Sequence, residues 1–343
     1  MLRFISAGES HGECMLAVLE GFPAGVKIDH SLINQDLVRR QQGYGRGGRM
    51  QIEKDEVKIF SGIKNNITIG SPISLMIENK DFKINELPLD TEPRPGHADL
   101  AGAIKYGFSD IRCVLERASA RETAARVAAG AVCKIFLSEF SIKINSEVKS
   151  IGGETDKQKI KQKIDTAREN KDSLGGKFVV RAENVPVGLG SYVQYDRRLD
   201  AKLAGALMSI QGIKGVEFGA GFKCADEFGS NIHDPILYAK DKGIYRKSNN
   251  AGGIEGGMSN GEIIIARCAM KPIATLGKPL ESIDLQTKKE VLASVQRSDI
   301  CAVQAAGVVA EAMTAIVLMD LFLERFGRDN LSMIKKNYGH LKF

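Results

Sequence analysis

The chain has no tryptophan, only 6% aromatic residues and nine prolines in 343 residues, and its six cysteines form no C-x-x-C pair. Cys14, Cys113, Cys133, Cys224, Cys268 and Cys301 are widely spaced, most of them within apolar runs. That spacing argues against a disulfide framework or a zinc site and predicts buried free thiols of a reducing compartment, with no metal. No G-x-G-x-x-G stands between a strand and a helix and there is no Walker A lysine, so a Rossmann or P-loop nucleotide site is not expected. The most apolar stretch, Cys301 to Phe326, is interrupted by Gln304, Glu311 and Asp320 and reads as a core helix rather than a membrane span. The opening MLRFISAGESHGE carries no apolar leader-like region, which points to the cytoplasm.

What is present is an ordinary globular composition, 43% hydrophobic and 26% charged, with a net charge of +6. The basic excess suits an anionic ligand but is too small and scattered to argue for nucleic acid. The 36 glycines cluster at 43–48, 186–190 and 252–261.

The chain is organised around residues 94–131. A Pro95-Gly96-His97 turn is followed by Arg112, Arg117, Arg121 and Arg126 around the start of an Ala-rich helix. Ser119 and Glu122 form an S-x-x-E capping box, so this helix is expected to start at Ala120 and run to about Phe140. Its positive end, with arginines beside it, is a ready site for an anion.

Strands are expected at 2–5, 14–20, 57–62, 67–77, 178–182, 216–219 and 262–270, and helices from Asp29 or Ser31 to Arg40, over 196–209, and from Ser298 or Asp299 as cap of the last long helix. Residues 153–177 read as a short exposed helix of little chemical interest. Two segments, 21–43 and 183–212, both run from a P-x-G turn through a helix to Gln-Gly, the pattern a duplicated unit would leave. Strands and helices do not alternate regularly. The expected class is α+β, a layered sandwich of two antiparallel sheets packed on Ala-rich helices, in a single catalytic domain over 1–343.

Two of the five histidines, His11 and His97, lie in Gly-flanked turns with acidic neighbours Glu9, Glu13 and Asp99. A histidine in a tight turn is more often a structural hydrogen-bonder, but its near-neutral pKa makes it the natural proton donor wherever a site exists. Arg39, Arg40, Arg46 and Arg49 lie at a helix end and in a glycine-rich loop. They read either as solvated charges neutralising the helix C-terminus or as a lid that clamps phosphate or carboxylate. The glycine loop at 252–257 suits a backbone lying against a flat or phosphorylated cofactor. Asp299 reads locally as an N-cap. Together these features describe an enzyme for a multiply anionic small molecule, and composition and spacing go no further.

The motifs GESHG (8–12), RRQQGYGRGGRM (39–50), RPGHAD (94–99), SARETAARVAAGA (119–131), GGIEGGMSNGE (252–262) and RSDICAV (297–303), in this order along essentially the whole chain, resemble the chorismate synthase family. The resemblance implies a β-α-β sandwich, usually a homotetramer, that uses reduced FMN to eliminate phosphate from 5-enolpyruvylshikimate 3-phosphate with loss of a C6 proton and no net redox. It implies that His11 protonates the departing phosphate, His97 protonates reduced FMN, and Asp299 acts with the flavin in removing the C6 proton. FMN-contacting positions match Arg117, Ala118, Ser119, Gln211, Gly212, Gly256, Lys271, Pro272, Ile273, Ala274, Thr275 and Arg297. Positions assigned to NADP match Arg40 and Arg46, which equally suit substrate. Ser10, Arg49 and Arg121 are expected as further substrate anchors. Departures are few: Gln41-Gln42 replaces an Arg-Pro seen in many members, and the compact chain suggests the class supplied with reduced flavin by a separate reductase. The rival readings are a flavin-dependent oxidoreductase, which would consume NAD(P)H with turnover, and an RGG-type RNA binder, whose affinity would fall steeply with salt.

Overall fold

Every second residue of Cys14–Glu20 and Ile73–Glu78 is apolar and turned inward, and in the computed structural model these form one buried sheet face: Met15, Ala17 and Leu19 beside Ile73, Leu75 and Ile77. The structure describes residues 1–48, 53–241, 243–296 and 298–340. In the first half, β1 (Arg3–Ala7) and β2 (Cys14–Glu20) are followed by α1 (His30–Gln41), β3 (Val57–Ile59), the small hairpin β4 (Ile63–Lys64) and β5 (Ile67–Thr68), then β6 (Ile73–Glu78). Helices α2 (Asp99–Tyr106), α3 (Arg112–Ala118) and α4 (Thr123–Ser138) follow. The second half contains β7 (Lys143–Ile151), α5 (Lys157–Glu169), β8 (Gly176–Glu183), α6 (Leu199–Met208) and β9 (Ile213–Phe218). Hairpins β10 (Ile236–Ala239)/β11 (Gly243–Arg246) and β12 (Ile254–Glu255)/β13 (Met258–Ser259) then lead to β14 (Ile264–Met270). Hairpin β15 (Glu281–Ile283)/β16 (Glu290–Leu292), α7 (Val303–Phe326) and α8 (Leu331–Gly339) close the chain.

Two four-stranded antiparallel sheets result, in the orders β1-β2-β6-β3 and β7-β8-β14-β9. Counted within its own half, each sheet has the order first, second, fourth, third. Each half also sends a helix, α1 or α6, from its second strand to its third. The two segments that echo each other in sequence are these strand-to-strand connections.

Helix α4 packs on the first sheet, α7 on the second, and the two helices pack on each other. Small residues permit that approach: a Cβ at Gly130 of α4 would lie 2.3 Å from the Cβ of Ala312 in α7. One contiguous core draws on both halves. Helix α7 is long and apolar enough to cross a membrane, yet 89% of its most apolar window is buried within the protein.

Several boundaries differ from expectation for physical reasons. The Ala-rich helix does not start at Ala120. Ser119 caps a 3₁₀ turn (Ala120–Glu122), its hydroxyl accepting from the Arg121 N–H, and the α-helix proper runs over Thr123–Ser138. The capping box stays half-made because the Glu122 carboxylate is drawn to Ser6, Arg126 and Gln211. Asp299 and Ser298 do not cap the last long helix, which begins at Val303 behind Ala302 with no side-chain cap. Arg39 leaves the loop arginines and turns inward to Glu311, 2.6 and 2.8 Å away, where Lys134 and Ser146 also bind the same carboxylate. Burial pushes the Glu311 carboxyl up, but these partners outweigh it and hold it below the usual range. Helices α2, α3 and α8 are additions to the expected elements. Of the cysteines, Cys133, Cys268 and Cys301 are buried as expected, whereas Cys113 and Cys224 are exposed.

Candidate active site

The β1–β2 turn presents Ser10 and His11, and it can turn so tightly because Gly8 adopts a φ of 107°, where a Cβ would sit 2.3 Å from the Cys14 carbonyl. The Asn79 amide donates to the carbonyls of Glu9 and Gly12 and pins the turn from the end of β6. The carboxylates that answer to His11 are not its sequence neighbours Glu9 and Glu13. They are Glu116 of α3, whose Oε1 lies 2.9 Å from His11 Nδ1, and Asp81, whose Oδ2 is 3.8 Å from Nε2. In the second turn the expected neighbour does serve: the His97 Nδ1 lies 2.5 Å from Asp99 Oδ1, and Arg94 donates to the same carboxylate. Burial raises the Asp99 carboxyl, but the hydrogen bonds from His97 and Arg94 outweigh it and hold the group far below the ordinary range. Arg94 also donates to Thr275, and Lys271 donates to the Gly96 carbonyl, which fixes this turn to the end of β14.

The glycine-rich loop after α1 is zipped to the segment before α7. Gly45 O accepts from Ile300 and Cys301 N–H. Asp299 Oδ1 accepts from the Gly47 N–H at 2.6 Å, and its Oδ2 pairs with Arg46 at 2.7 Å. Helix α5, expected to be of little interest, is the outer support of this loop. Tyr44 Oη donates to Asp165 at 2.8 Å, Lys161 and Arg168 flank the Tyr44 ring, and Ile164 packs at Gly45.

Arg40 and Arg121 meet at one buried carboxylate. Arg40 Nη2 and Arg121 Nη1 each lie 2.6 Å from a different oxygen of Asp55. All three side chains are at most 4% exposed. Arg121 further donates to Asn79 and to the Glu78 carbonyl. The cations expected to crowd an open helix end are therefore largely spent on internal carboxylates. Burial lowers the Arg40 pKa and the Asp55 charge opposes it. The Asp55 carboxyl is raised by burial but lowered further by the two arginines, for a net downward shift.

These pieces enclose one cavity of about 530 Å³, within the range of small-molecule and cofactor sites. Ser10, His11, Arg40, Arg46, His97, Ala118, Ser119, Arg121, Gln211, Gly212, Asp299 and the whole run Lys271–Thr275 line it. Lys83, Arg94 and Arg112 also face it, so seven Lys and Arg side chains stand against the two carboxylates Asp81 and Asp299. The floor is apolar: Ala302 just ahead of α7, Ala305, Ala306 and Val309 within it, with Met270 and Ile210. Burial, then the nearby Lys214 charge, holds the Lys271 ammonium below the usual lysine range. Among the described residues no His, Cys, Asp and Glu group could hold a metal ion.

Two expected cofactor residues are not on this wall. Arg117 is spent on the carbonyls of Ser6 and Gly8, and Gly256 turns the β12–β13 hairpin. Arg49 and Arg297 lie outside the described residues. Sequence reasoning missed Glu116, Asp55, Asp81 and Lys83. Asp55 sits in the charged run Glu53–Glu56 and Lys83 in a polar loop, where local pattern gives no reason to single them out.

Comparison with known proteins gives a concordant answer. A family model described as chorismate synthase matches residues 2–323. A chorismate synthase of Thermoanaerobacter pseudethanolicus is 56% identical over 340 residues, 98% of this chain and 97% of that protein. One of Geobacter sulfurreducens is 50% identical, covering 100% and 99%. A crystal structure of a chorismate synthase superposes with a TM-score of 0.81 at 43% identity, covering 98% of this chain and 96% of that one.

Proposed function

The chain belongs to the chorismate synthase family, and from that premise we propose which of its residues perform the reaction. The activity is that of a carbon–oxygen lyase: phosphate leaves 5-enolpyruvylshikimate 3-phosphate to give chorismate, the last common step of the shikimate pathway. The observation that carries the site assignment is the convergence of seven cations and both turn histidines on one cavity. A phosphate and two carboxylates ask for such a lining, since arginine forks match both groups.

In this reading Ser10, Arg40, Arg46 and Arg121 bind the substrate's anionic groups, with Arg49 a further anchor. His11 delivers a proton from its ring to the departing phosphate. Asp299, across the cavity and held by Arg46 and Gly47, takes the C6 proton. His97, steadied by Asp99, holds a proton on the cofactor side.

The lining fits a flavin. The Gln211 Nε2 donates to Glu122 at 3.2 Å, which leaves its Oε1 as a buried acceptor without a donor. An imide N–H such as that of a flavin pyrimidine ring supplies what it lacks. We assign Ala118, Ser119, Gln211, Gly212 and Lys271–Thr275, with Arg297, to FMN. Reduced FMN, when bound, supplies an electron that is recovered by the end of turnover. Arg40 and Arg46 are the candidates for NADP, and we place the source of reducing equivalents in a separate flavin reductase. We also read the chain as one catalytic domain over 1–343, a β-α-β sandwich built by duplication of the half described above. The assembly is read as a homotetramer in the cytoplasm.

The test is anaerobic: protein, photoreduced FMN and enolpyruvylshikimate phosphate, with phosphate and chorismate followed together. Stoichiometric release with flavin still reduced supports the elimination, and His11→Ala and Asp299→Ala should each abolish it. Net NAD(P)H consumption matching turnover would instead favour an oxidoreductase.

A further inference from the structure

We propose that Glu116 is the positioning residue that sets the tautomer and aim of His11. The inference rests on the proton-donor role assigned to His11 above and names the group on which that role depends. Three donors of the β1–β2 turn converge on this one residue of α3. The Ser10 N–H donates to the Glu116 carbonyl at 2.9 Å. The His11 N–H donates to Oε2 at 2.7 Å, and His11 Nδ1 lies 2.9 Å from Oε1. The Glu116 side chain is 4% exposed, so the interaction is little screened by water. Because Oε2 already takes a peptide N–H, the carboxylate acts as an acceptor, and Nδ1 carries the hydrogen that faces it. Which nitrogen of an imidazole does the chemistry is set by the bond the other one makes.

Nε2 is thereby left toward the cavity, and it is the imidazolium, protonated at both nitrogens, that hands its Nε2 proton to the departing phosphate while Nδ1–H stays on Glu116. On the cavity side the nearest acid, Asp81, stands 3.8 Å off, beyond hydrogen-bonding distance, and is tied to Lys83 at 2.8 Å. The other turn histidine is supported differently, because Asp99 Oδ1 is shared by His97 and Arg94 while Oδ2 is taken by Arg94 alone. Glu116 thus plays for His11 the part that the third member of a nucleophile–base–carboxylate triad plays for its imidazole.

The test uses the full chain. Nitrogen-15 spectra of labelled imidazoles, assigned with His11→Ala and recorded across a pH titration, should show the neutral form of parent His11 protonated at Nδ1 and its acid form protonated at both nitrogens. Glu116→Gln should mix the two tautomers and lower kcat by about 10–100-fold, with the KM for enolpyruvylshikimate phosphate changed less than threefold. Glu116→Asp, which keeps the charge, should recover part of kcat. A neutral parent His11 that carries its proton on Nε2, with Nδ1 bare toward Glu116, would overturn the proposal. So would Glu116→Gln with kcat within twofold of the parent, or a loss of rate with the tautomer unchanged. If Glu116→Gln fails to fold, the parent spectrum and Glu116→Asp still decide the matter. Failure of the parent to make chorismate would sink the functional reading, while its spectrum would still report the Glu116–His11 geometry.

Discussion

Replacing Asp55 by Asn removes one charge and keeps the shape, and it strands Arg40 and Arg121, which each make a 2.6 Å contact with that carboxylate. Both guanidiniums are at most 4% exposed, so water cannot take over the lost role. Breaking a buried pair by removing one partner costs about 3–5 kcal/mol because the remaining charge is uncompensated. With an unfolding entropy of roughly 2.1 cal/mol/K per residue, 343 residues give about 0.7 kcal/mol/K, so the loss corresponds to about 4–7 °C in Tm. The control is Lys58→Ala at the exposed Lys58–Glu78 pair, whose side chains are 57% and 62% exposed, where the change should stay below about 1 kcal/mol. Melts are run in buffer without phosphate or other polyvalent anions. Adding the substrate, with its three anionic groups, should then raise the variant's Tm more than the parent's, because the ligand supplies the missing countercharge. An Asp55→Asn protein that melts within 1 °C of the parent in anion-free buffer would show that the arginines do not depend on Asp55, and the account of the clamp would be wrong.

Two further perturbations test the packing and the electrostatics. Gly130→Ala drives a methyl into Ala312 across the α4–α7 contact and should destabilise by about 2–3 kcal/mol or more. Gly205→Ala, inside α6 with open space around it, should stabilise by about 0.5–1 kcal/mol; chemical denaturation of both variants checks the opposite signs. Acid should unfold the protein through its buried carboxylates. Asp55, Asp99, Glu122 and Glu311 all have folded pKa values below the reference 3.8 or 4.5, so the folded state binds fewer protons than the unfolded one. Their stabilisation is complete above about pH 4.5 and is lost as pH falls through the lower folded values. Urea midpoints that stay flat from pH 7 to 5 and then drop below pH 4.5 are expected, and midpoints still flat at pH 3 would contradict this.

Strands and helices whose signal is local were legible in the sequence. Cys14–Glu20 matches the expected strand to the residue, because it is a short stretch, apolar but for its last residue, between the glycine turns at Gly12 and Gly21. Asp29 capped α1 as its chemistry required, accepting from the Ser31 N–H. The misread helix caps share one cause, which is that a polar side chain was assigned to its own neighbourhood when the fold offered a distant partner. Glu122 left the capping box for Ser6 and Gln211. Asp299 left the helix end for Arg46 and Gly47.

The same cause separates what was legible of the site from what was not. His11, His97 and the loop arginines were found because turns and glycine clusters mark them locally. Apart from Asp99 beside His97, their partners were not, because the relevant separations are 105 residues for His11–Glu116, 66 for Arg121–Asp55 and 272 for Arg39–Glu311. A carboxylate at such a distance carries no local signature, and in a charged run such as Glu53–Glu56 it looks solvated. Yet a cavity built for a polyanion requires these carboxylates. Cations gathered without them would repel one another and, if buried, could not all keep their charge. The expectation of an exposed cluster of arginines at a helix end therefore omitted the half of the site that makes such a cluster stable before any ligand arrives. In this fold that half comes from α3, from the residues just before β3, and from the segment before α7.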